Sequence, residues 1–459
     1  MASTGKILDI ARQALYAQQA GLNVTGHNIA NVNTPGYSRQ RVILEANKPT
    51  KTGWGFYGNG VSINTIERMR NRYIDGEIRN EKQELGTWTY KEQIFTDLES
   101  VFNEPSDDSL GQVMRDFWDS WSALASDPDS TSAREVVRQN GSALAKTFHH
   151  IYSRMQNLQL NMNQDLSTYV TDANSILHQI AELNDKIAGV ELNGTVANDY
   201  RDKRDLLLSQ LSEIVGVDAS ENQSGMLTIT IGGRVLLERN VVHEMGTRFR
   251  ASEAGSSNDV VWAETGRLIS IRSGKIKGLI DMRDSVIPDM QSDLDDLANA
   301  FVEKVNEVHK SGYGSDGFSG RVFFNEDSTG AQDIDISSDI KNSISAIAAS
   351  KGGSIGDGNN ALDIARISET MTMSGDTATI EDYFAAMMGK LGVQSKEASN
   401  MSGNQQLLIE QLEAQQSSYS GVSLDEEMTN LIKYQHAYEA AARLVRIVDE
   451  MMQTVIEMV

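Results

Sequence analysis

The chain contains no cysteine, so disulfides, thiolate nucleophiles and Cys-ligated zinc are excluded from its 459 residues. Proline is scarce, at five residues, which permits long uninterrupted helices. No uncharged apolar run approaches the ~18 residues of a membrane span, so no membrane insertion is expected. Basic residues are outnumbered: 41 Lys and Arg face 64 Asp and Glu, for a formal net charge of -23. Such a charge repels phosphate backbones, so no nucleic-acid role is expected. An anionic membrane surface is disfavoured for the same reason. At the N-terminus Lys6 is followed only by Ile7 and Leu8 before Asp9, too short for a secretory signal core. The expectation is a chain that stays in the cytoplasm or leaves without a cleaved signal.

What is present is helical periodicity. Leu8, Leu15, Leu22 and Ile29 lie seven apart, with Gln18 and Thr25 interrupting a neighbouring stripe of Ala11 and Val32. This spacing predicts a coiled-coil-type helix over about 3–32. Thr34 precedes Pro35 and is pushed out of the α region, and Pro35-Gly36 suits a tight turn. An extended, partly β stretch follows to Ile66. Helix is predicted from about 67 to 216, broken at Asp127-Pro128. Beyond the break Phe148, Met155, Met162, Tyr169, Ile176, Leu183 and Val190 lie seven apart. A companion stripe passes from Ile151 and Leu158 to Leu166, Ala173, Ile180 and Ile187, the drift of a 3.6-residue helix against a heptad. A helix over 131–192 would be roughly 90 Å long and could not bury its stripe against itself.

Near Gly216 the pattern changes. Met226 to Ile231 alternates, Gly232-Gly233 turns, and Arg234 to Leu237 continues, which signals a hairpin. Val260 to Trp262 and Leu268 to Ile271 are expected as further strands. Helix returns over about 284–310, and 311–360 reads as loops and short strands of a surface domain. The last helix is expected from Leu424 to the final residue, Val459. Leu424, Leu431, Tyr438, Val445 and Met452 form one stripe, and Tyr434, Ala441, Val448 and Val455 its companion.

The predicted fold class is mainly α with an inserted β-containing domain. The terminal helices pair as a coiled coil, a long helical bundle follows, and an outer α+β or β domain projects from it. The expected divisions are 1–66, an assembly helix and extended segment; 67–216, a long-helix bundle; 217–359, an outer domain with one helix at 284–310; 360–423, return helices of the bundle; and 424–459, the C-terminal assembly helix. Isolated helices are marginal in water, so the end helices need partners along their length. Periodicity leaves two options open: an ordinary intramolecular bundle, or termini that order only in a polymer.

Candidate chemistry is thin. Gly352 to Gly356 matches a G-x-S-x-G nucleophile elbow around Ser354, but that elbow needs a preceding strand and a following helix, and here the loop runs on through Asn360. His149 and His150 are adjacent and point to different helix sides. Asp316 and Glu326-Asp327 lack EF-hand spacing. No catalytic residue, cofactor or metal is expected. Asn28, Asn31 and Asn33 either terminate the first helix locally or hydrogen-bond across subunits.

Asn28-Ile-Ala-Asn31-Val-Asn33-Thr-Pro-Gly-Tyr37-Ser-Arg39 resembles the N-terminal signature of the flagellar rod, hook and hook-associated axial proteins. Glu427 to Asp449, with Tyr434-Gln435, Ala437 to Ala440 and Arg443, resembles their C-terminal signature. Four central stretches are similar to the hook-associated branch. These are Val101 to Ser106 leading to Trp121; Ile180 to Asn184 with Asn198 to Asp202 and Arg204 to Leu207; Leu297 to Gly312; and Gly358 to Leu362. The resemblance covers about 1–310 and 358–459. It implies a structural adaptor, not an enzyme, forming a ring at the hook–filament junction, with a hook or distal-rod subunit as the alternative. It implies as partners other copies of the chain, the hook protein and a second junction protein, with flagellin assembling above. It further implies the flagellar type III export apparatus, a dedicated export chaperone at the C-terminal helix, and an extracellular place in the flagellum. The implied assembly contacts are Leu8, Leu15, Leu22, Asn28, Ile29 and Asn31 on the first helix, and Leu424, Leu431, Tyr434, Tyr438, Val445 and Met452 on the last.

Overall fold

The computed structural model describes residues 2–53, 55–103, 109–192, 194–222, 224–252 and 255–457. Glu104, Pro105, Ser106 and Val459, which carried sequence expectations, lie outside them. Helix α1 (Ala2–Ala30) leads into strands β1 (Gln40–Ala46), β2 (Thr50–Thr52), β3 (Gly55–Tyr57) and β4 (Val61–Arg68). β1 and β4 pair antiparallel, and β2–β3 is a hairpin between them.

The predicted helical block is four helices. They are α2 (Arg72–Phe102), α3 (Leu110–Ser126), α4 (Thr131–Glu191) and α5 (Asn198–Ile214). Their boundaries follow local chemistry. Asn71, Ser109 and Ser130 cap the starts of α2, α3 and α4 by accepting backbone N–H bonds. Asn103 ends α2 in the left-handed conformation that asparagine tolerates, at φ 51°. The Asp127-Pro128 break falls between α3 and α4.

α4 is 61 residues long and is the spine of the molecule. Phe148, Met155 and Met162 are buried, but further along that stripe Val190 reaches the surface. Leu166, Ala173, Ile180 and Ile187 take over as the buried line. The helix is wound at its natural pitch, so its heptad face rotates and successive columns meet different partners. The first half meets α3, and the second meets α5 and the β region.

The β region is a four-stranded antiparallel sheet, β5 (Asp218–Glu221), β6 (Leu227–Ile231), β7 (Arg234–Glu238) and β8 (Val241–Val242), plus a hairpin of β9 (Met245–Ser252) and β10 (Gly255–Trp262). Gly232 and Gly233 join β6 to β7 with φ of 55° and 80°. Two successive positive φ values match the twist of a hairpin and favour glycine. Leu268 to Ile271, expected as a strand, makes only a local bridge, Leu268 to Val261.

The chain then returns to helix earlier than expected. α6 (Lys275–Asp281), a π-turn (Met282–Val286) and α7 (Ile287–Ser311) run end to end. Pro288 sits in the first turn of α7, where the widened π-turn accommodates its missing N–H. Residues 311–358 are not the surface domain that composition suggested. Phe323, Phe324, Ile334 and Ile347 are fully buried. Phe323 and Phe324 join Phe117, Trp118, Trp121 and Phe301 in one aromatic cluster, with Trp118 stacked on Phe301 at 5.0 Å. A Cβ at Gly141 of α4 would lie 2.7 Å from the Phe323 ring, so glycine makes room for it. The segment therefore plugs the helical core, and the expected outer domain of 217–359 shrinks to its β part. Short α8 (Ser338–Asn342) and α9 (Asn359–Ala365) lie on this plug.

Residues 366–379 leave the α-helix that sequence placed there. α10 (Ile380–Ser420) starts on a capping box of Thr379 and Asp382 and runs antiparallel to α2. Lys82 meets Glu413 at 3.1 Å, and Thr89 meets Ser402 at 3.4 Å. α11 (Leu424–Glu457) closes the described chain.

One core residue sets a pH dependence. His309, near the end of α7, is fully buried against the plug, its Nδ1–H donating to the Arg321 carbonyl at 2.8 Å and its Nε2 accepting from the Ala348 N–H at 2.9 Å. Burial, with the charges of Arg321 and Arg134, pushes its pKa from 6.5 down to about 4, against the raising effect of the Arg321 carbonyl. Between those values the unfolded imidazole binds a proton that the folded one does not. Stability is thus lost as pH falls from 6.5 to about 4, by on the order of 3 kcal/mol. Denaturant titrations over this range should show that slope, and His309→Gln should flatten it. Equal slopes for the two proteins would refute the assignment.

Candidate assembly interface

α1 and α11 pair antiparallel within the chain: Asn28 meets Glu427, and Gly21 meets Tyr434. Small residues make up the α1 side of the seam. Ala11, Ala17, Gly21, Thr25 and Asn28 are buried on α1, and Glu427, Ala441 and Val448 on α11. A Cβ at Gly21 would lie 2.7 Å from the Tyr434 ring. The large apolar stripes therefore do not form the seam. They flank it. On α1 Leu15, Leu22 and Ile29 are half-buried and Leu8 is exposed. On α11 Leu431 and Val445 are half-buried, whereas Leu424, Tyr438 and Met452 are exposed at 49%, 38% and 38%. Tyr434, Ala441 and Val448, expected as the companion column, are the inner one. Thr25, read as an interruption, is buried in the seam. Small residues at heptad spacing carry a weak hydropathy signal, and this is why large side chains drew the reading outward.

The base of this coil is a polar knot. Asn28 uses its full hydrogen-bonding capacity. Its Nδ2 donates to the Gln40 carbonyl at 2.9 Å and to Glu427 Oε2 at 3.0 Å. Its Oδ1 accepts from Tyr37 Oη–H at 2.7 Å and from the Gln40 N–H at 3.0 Å. Glu427 Oε1 accepts from Arg39 Nε at 2.7 Å, and Arg39 also pairs with Glu426 at 2.6 Å. Burial, then the carboxylates of Asp199, Asp202 and Glu427, push the Tyr37 phenol far above its usual value, so it remains a donor. Asn31 acts locally: it donates to the His27 carbonyl and accepts from Thr34. Pro35 and Gly36 turn the chain with Gly36 at φ 78°, seated against Leu206 of α5.

That turn delivers Ser38 to a second cluster. The Ser38 N–H and Oγ–H both donate to Asp202, at 2.9 and 2.8 Å. Arg68 pairs with Asp202 at 2.7 Å and with Asp205 at 3.0 Å, and Arg70 with Asp205 and Asp75, both at 2.8 Å. Burial raises Asp205, but Arg70, Arg68 and Arg204 outweigh it and hold the carboxylate below its usual range. Gln416 of α10 also reaches Asp75. The N-terminal motif, the Asn198 to Leu207 motif and the start of α11 are therefore one structure, which sets the angle between the coil and the helical body. Ser38, Arg68, Arg70, Asp202 and Asp205 were not among the expected contacts, although three of them lie inside the quoted motifs.

The Ser354 loop shows no elbow geometry. Ser354 is exposed, and the loop folds around Asp357, which accepts from the N–H groups of Lys351, Gly352 and Asn359. Among the described residues no group of three or more His, Asp or Glu is placed to hold a metal.

Asn28→Asp keeps the shape but replaces the Nδ2 group, which donates twice, with one carboxylate oxygen facing Glu427 and the Gln40 carbonyl. The expected cost is on the order of 3 kcal/mol. Limited proteolysis should then cut the termini faster while the aromatic core stays intact by near-ultraviolet circular dichroism. Unchanged protection of the termini would contradict the role given to Asn28.

Comparisons with known proteins follow the same geography. The family model for the flagellar hook-associated protein FlgK helical domain matches residues 95–324. The flagella basal body rod protein model matches 8–37, and the flagellar basal body rod FlgEFG protein C-terminal model matches 414–458, the two sides of the coil. Flagellar hook-associated protein 1 of Bacillus subtilis (strain 168) is 35% identical over 99% of this chain and 98% of its own length. Its counterpart in Salmonella typhimurium (strain LT2) is 24% identical over 96% of this chain and 97% of its own. The solved flagellar hook junction protein FlgK from Burkholderia pseudomallei superposes with a TM-score of 0.66 at 15% identity, covering 75% of this chain and all of that one, a likeness of fold. The chain belongs to the flagellar hook-associated protein 1 family.

Proposed function

We propose that the chain is the structural adaptor at the hook–filament junction, and that it works by packing rather than catalysis. The observation that carries this reading is the coil itself. Its inner seam closes within one chain, with Gly21 against Tyr434, which leaves many large apolar side chains uncovered. Ile432, Ile447, Val455 and Ile456 are at least half exposed, as are Met428 and, on α1, Tyr16. Large exposed apolar side chains at this density on one helix make α11 a candidate interaction surface. Each half-exposed side chain stands to gain about 1 kcal/mol on burial. A ring of copies would bury these columns against one another, with Leu8, Leu15 and Leu22 from one coil and Leu424, Leu431, Tyr438, Val445 and Met452 from the next.

The family membership favours this role over a hook or distal-rod subunit, since relatives matched along their whole length carry the hook-associated name. In this reading the hook protein lies below the ring, and the second junction protein and flagellin above it. The same apolar columns need masking before assembly, which suits a chaperone on α11 and export through the flagellar type III apparatus to the extracellular flagellum.

Cells lacking the chain should build hooks yet release flagellin into the medium. The double variant Tyr438→Asp/Met452→Asp should reproduce that defect while the purified protein keeps its circular dichroism spectrum. Normal attached filaments in either strain would overturn the proposal.

A further inference from the structure

Beside the polar knot, between α2, α5 and strands β4 to β6, lies a cavity of about 450 Å³. Its wall is unusual for so acidic a chain. Six arginines line it, Arg68, Arg70, Arg72, Arg79, Arg201 and Arg204, against four carboxylates. Four of the six are spoken for. Arg68 and Arg70 are held by the knot. Arg201 grips Glu191 and Glu221, and Arg204 donates to the Gly225 carbonyl at 2.6 Å and to Glu221 at 3.1 Å.

Two features remain unexplained by the fold. Arg79 is half-buried, and among the described residues nothing forms a hydrogen bond or close ion pair with its guanidinium, although Asp205 and Asp75 act on it through space. Arg204 is almost completely buried, and among the described residues its Nε–H has no hydrogen-bond partner, with Asp205 Oδ1 4.0 Å away. A buried orphan donor is costly, and one on a charged group more so. Arg72 lies seven residues before Arg79 on the same face of α2, is exposed, and pairs with Glu221 at 3.2 Å. A flexible charged arm, an unpartnered guanidinium and an orphan donor thus share one pocket with net positive lining. Burial lowers the pKa of both Arg79 and Arg204, against the raising effect of Asp205 and Asp75 on Arg79 and of Asp205 and Glu221 on Arg204.

We propose that this cavity is an oxyanion site, taking a carboxylate or phosphate group between Arg79 and Arg72 with Arg204 behind. Guanidinium groups recognise such planar or tetrahedral oxygens through paired N–H bonds. The anion comes from one of two sources: free phosphate, or an acidic side chain of a neighbouring copy, in which case the pocket ties the ring to the polar knot. The binding reaction itself does not depend on the junction role.

The test uses the full-length chain and sodium phosphate against sodium chloride at matched ionic strength. Calorimetric titration should show saturable phosphate binding with a matching rise in melting temperature. Arg79→Gln should weaken it roughly tenfold or more, the loss expected of a charge-assisted hydrogen bond. Arg72→Gln, at an exposed position that folding does not need, should weaken it less. The source is read from sedimentation of concentrated protein. Phosphate that reduces self-association, mimicked by Arg79→Gln, assigns the site to a neighbour's carboxylate. Phosphate binding with unchanged association assigns it to the free anion. If phosphate and chloride act alike and both variants associate like the parent, the proposal is wrong. Phosphate binding that is indifferent to both substitutions would overturn it too.

Discussion

A single buried amide holds this molecule's two ends in register. Asn28 bonds to Glu427 across 399 positions of sequence and to the backbone of the strand that follows it. All four of its hydrogen-bonding positions are used, so neither α1 nor α11 can slide or rotate without leaving a buried polar group unpaired. Glu427 is itself buried and is neutralised by Arg39 from the turn. The amide, the carboxylate and the guanidinium together convert a coil that packing alone would leave free to slip into one with a defined register.

The small-residue seam depends on that register. Gly21 admits the Tyr434 ring only when Asn28 sits opposite Glu427. Close approach of the two backbones in turn moves the large side chains to the flanks. Leu8, Leu424, Tyr438 and Met452 are left exposed by that close fit, while the column of Tyr434, Ala441 and Val448 faces α1. The Ser38–Asp202 and Arg70–Asp205 contacts carry the constraint onward into α5 and α2, so the angle of the coil on the body is fixed by buried ion pairs rather than by a flexible linker.

The body follows a different logic. α4 is too long to be covered by one partner, so its rotating face is shared between α3 and the plug at one end and α5 and the sheet at the other. The plug supplies Phe323 and Phe324 to a core whose other aromatics come from α3, α4 and α7. Its composition, rich in glycine, serine and aspartate, looks like a surface loop because only a few side chains point inward. Those few are fully buried, and the polar remainder makes the turns that place them.

Sequence by itself determined the helical class, the heptad periods at both ends, the break at Pro128, the Gly232-Gly233 hairpin and the family. All of these are local patterns, or motifs that stay contiguous in the chain. Tertiary structure alone decided which columns face inward. Periodicity gives the spacing of a stripe but not the rotation of the helix about its axis, and here small residues won the seam over leucines. It alone brought Asn28 to Glu427 and Ser38 to Asp202, pairs 399 and 164 residues apart with no local signature. It also returned residues 311–358 to the core, because burial of two phenylalanines outweighs the polarity of the loop around them.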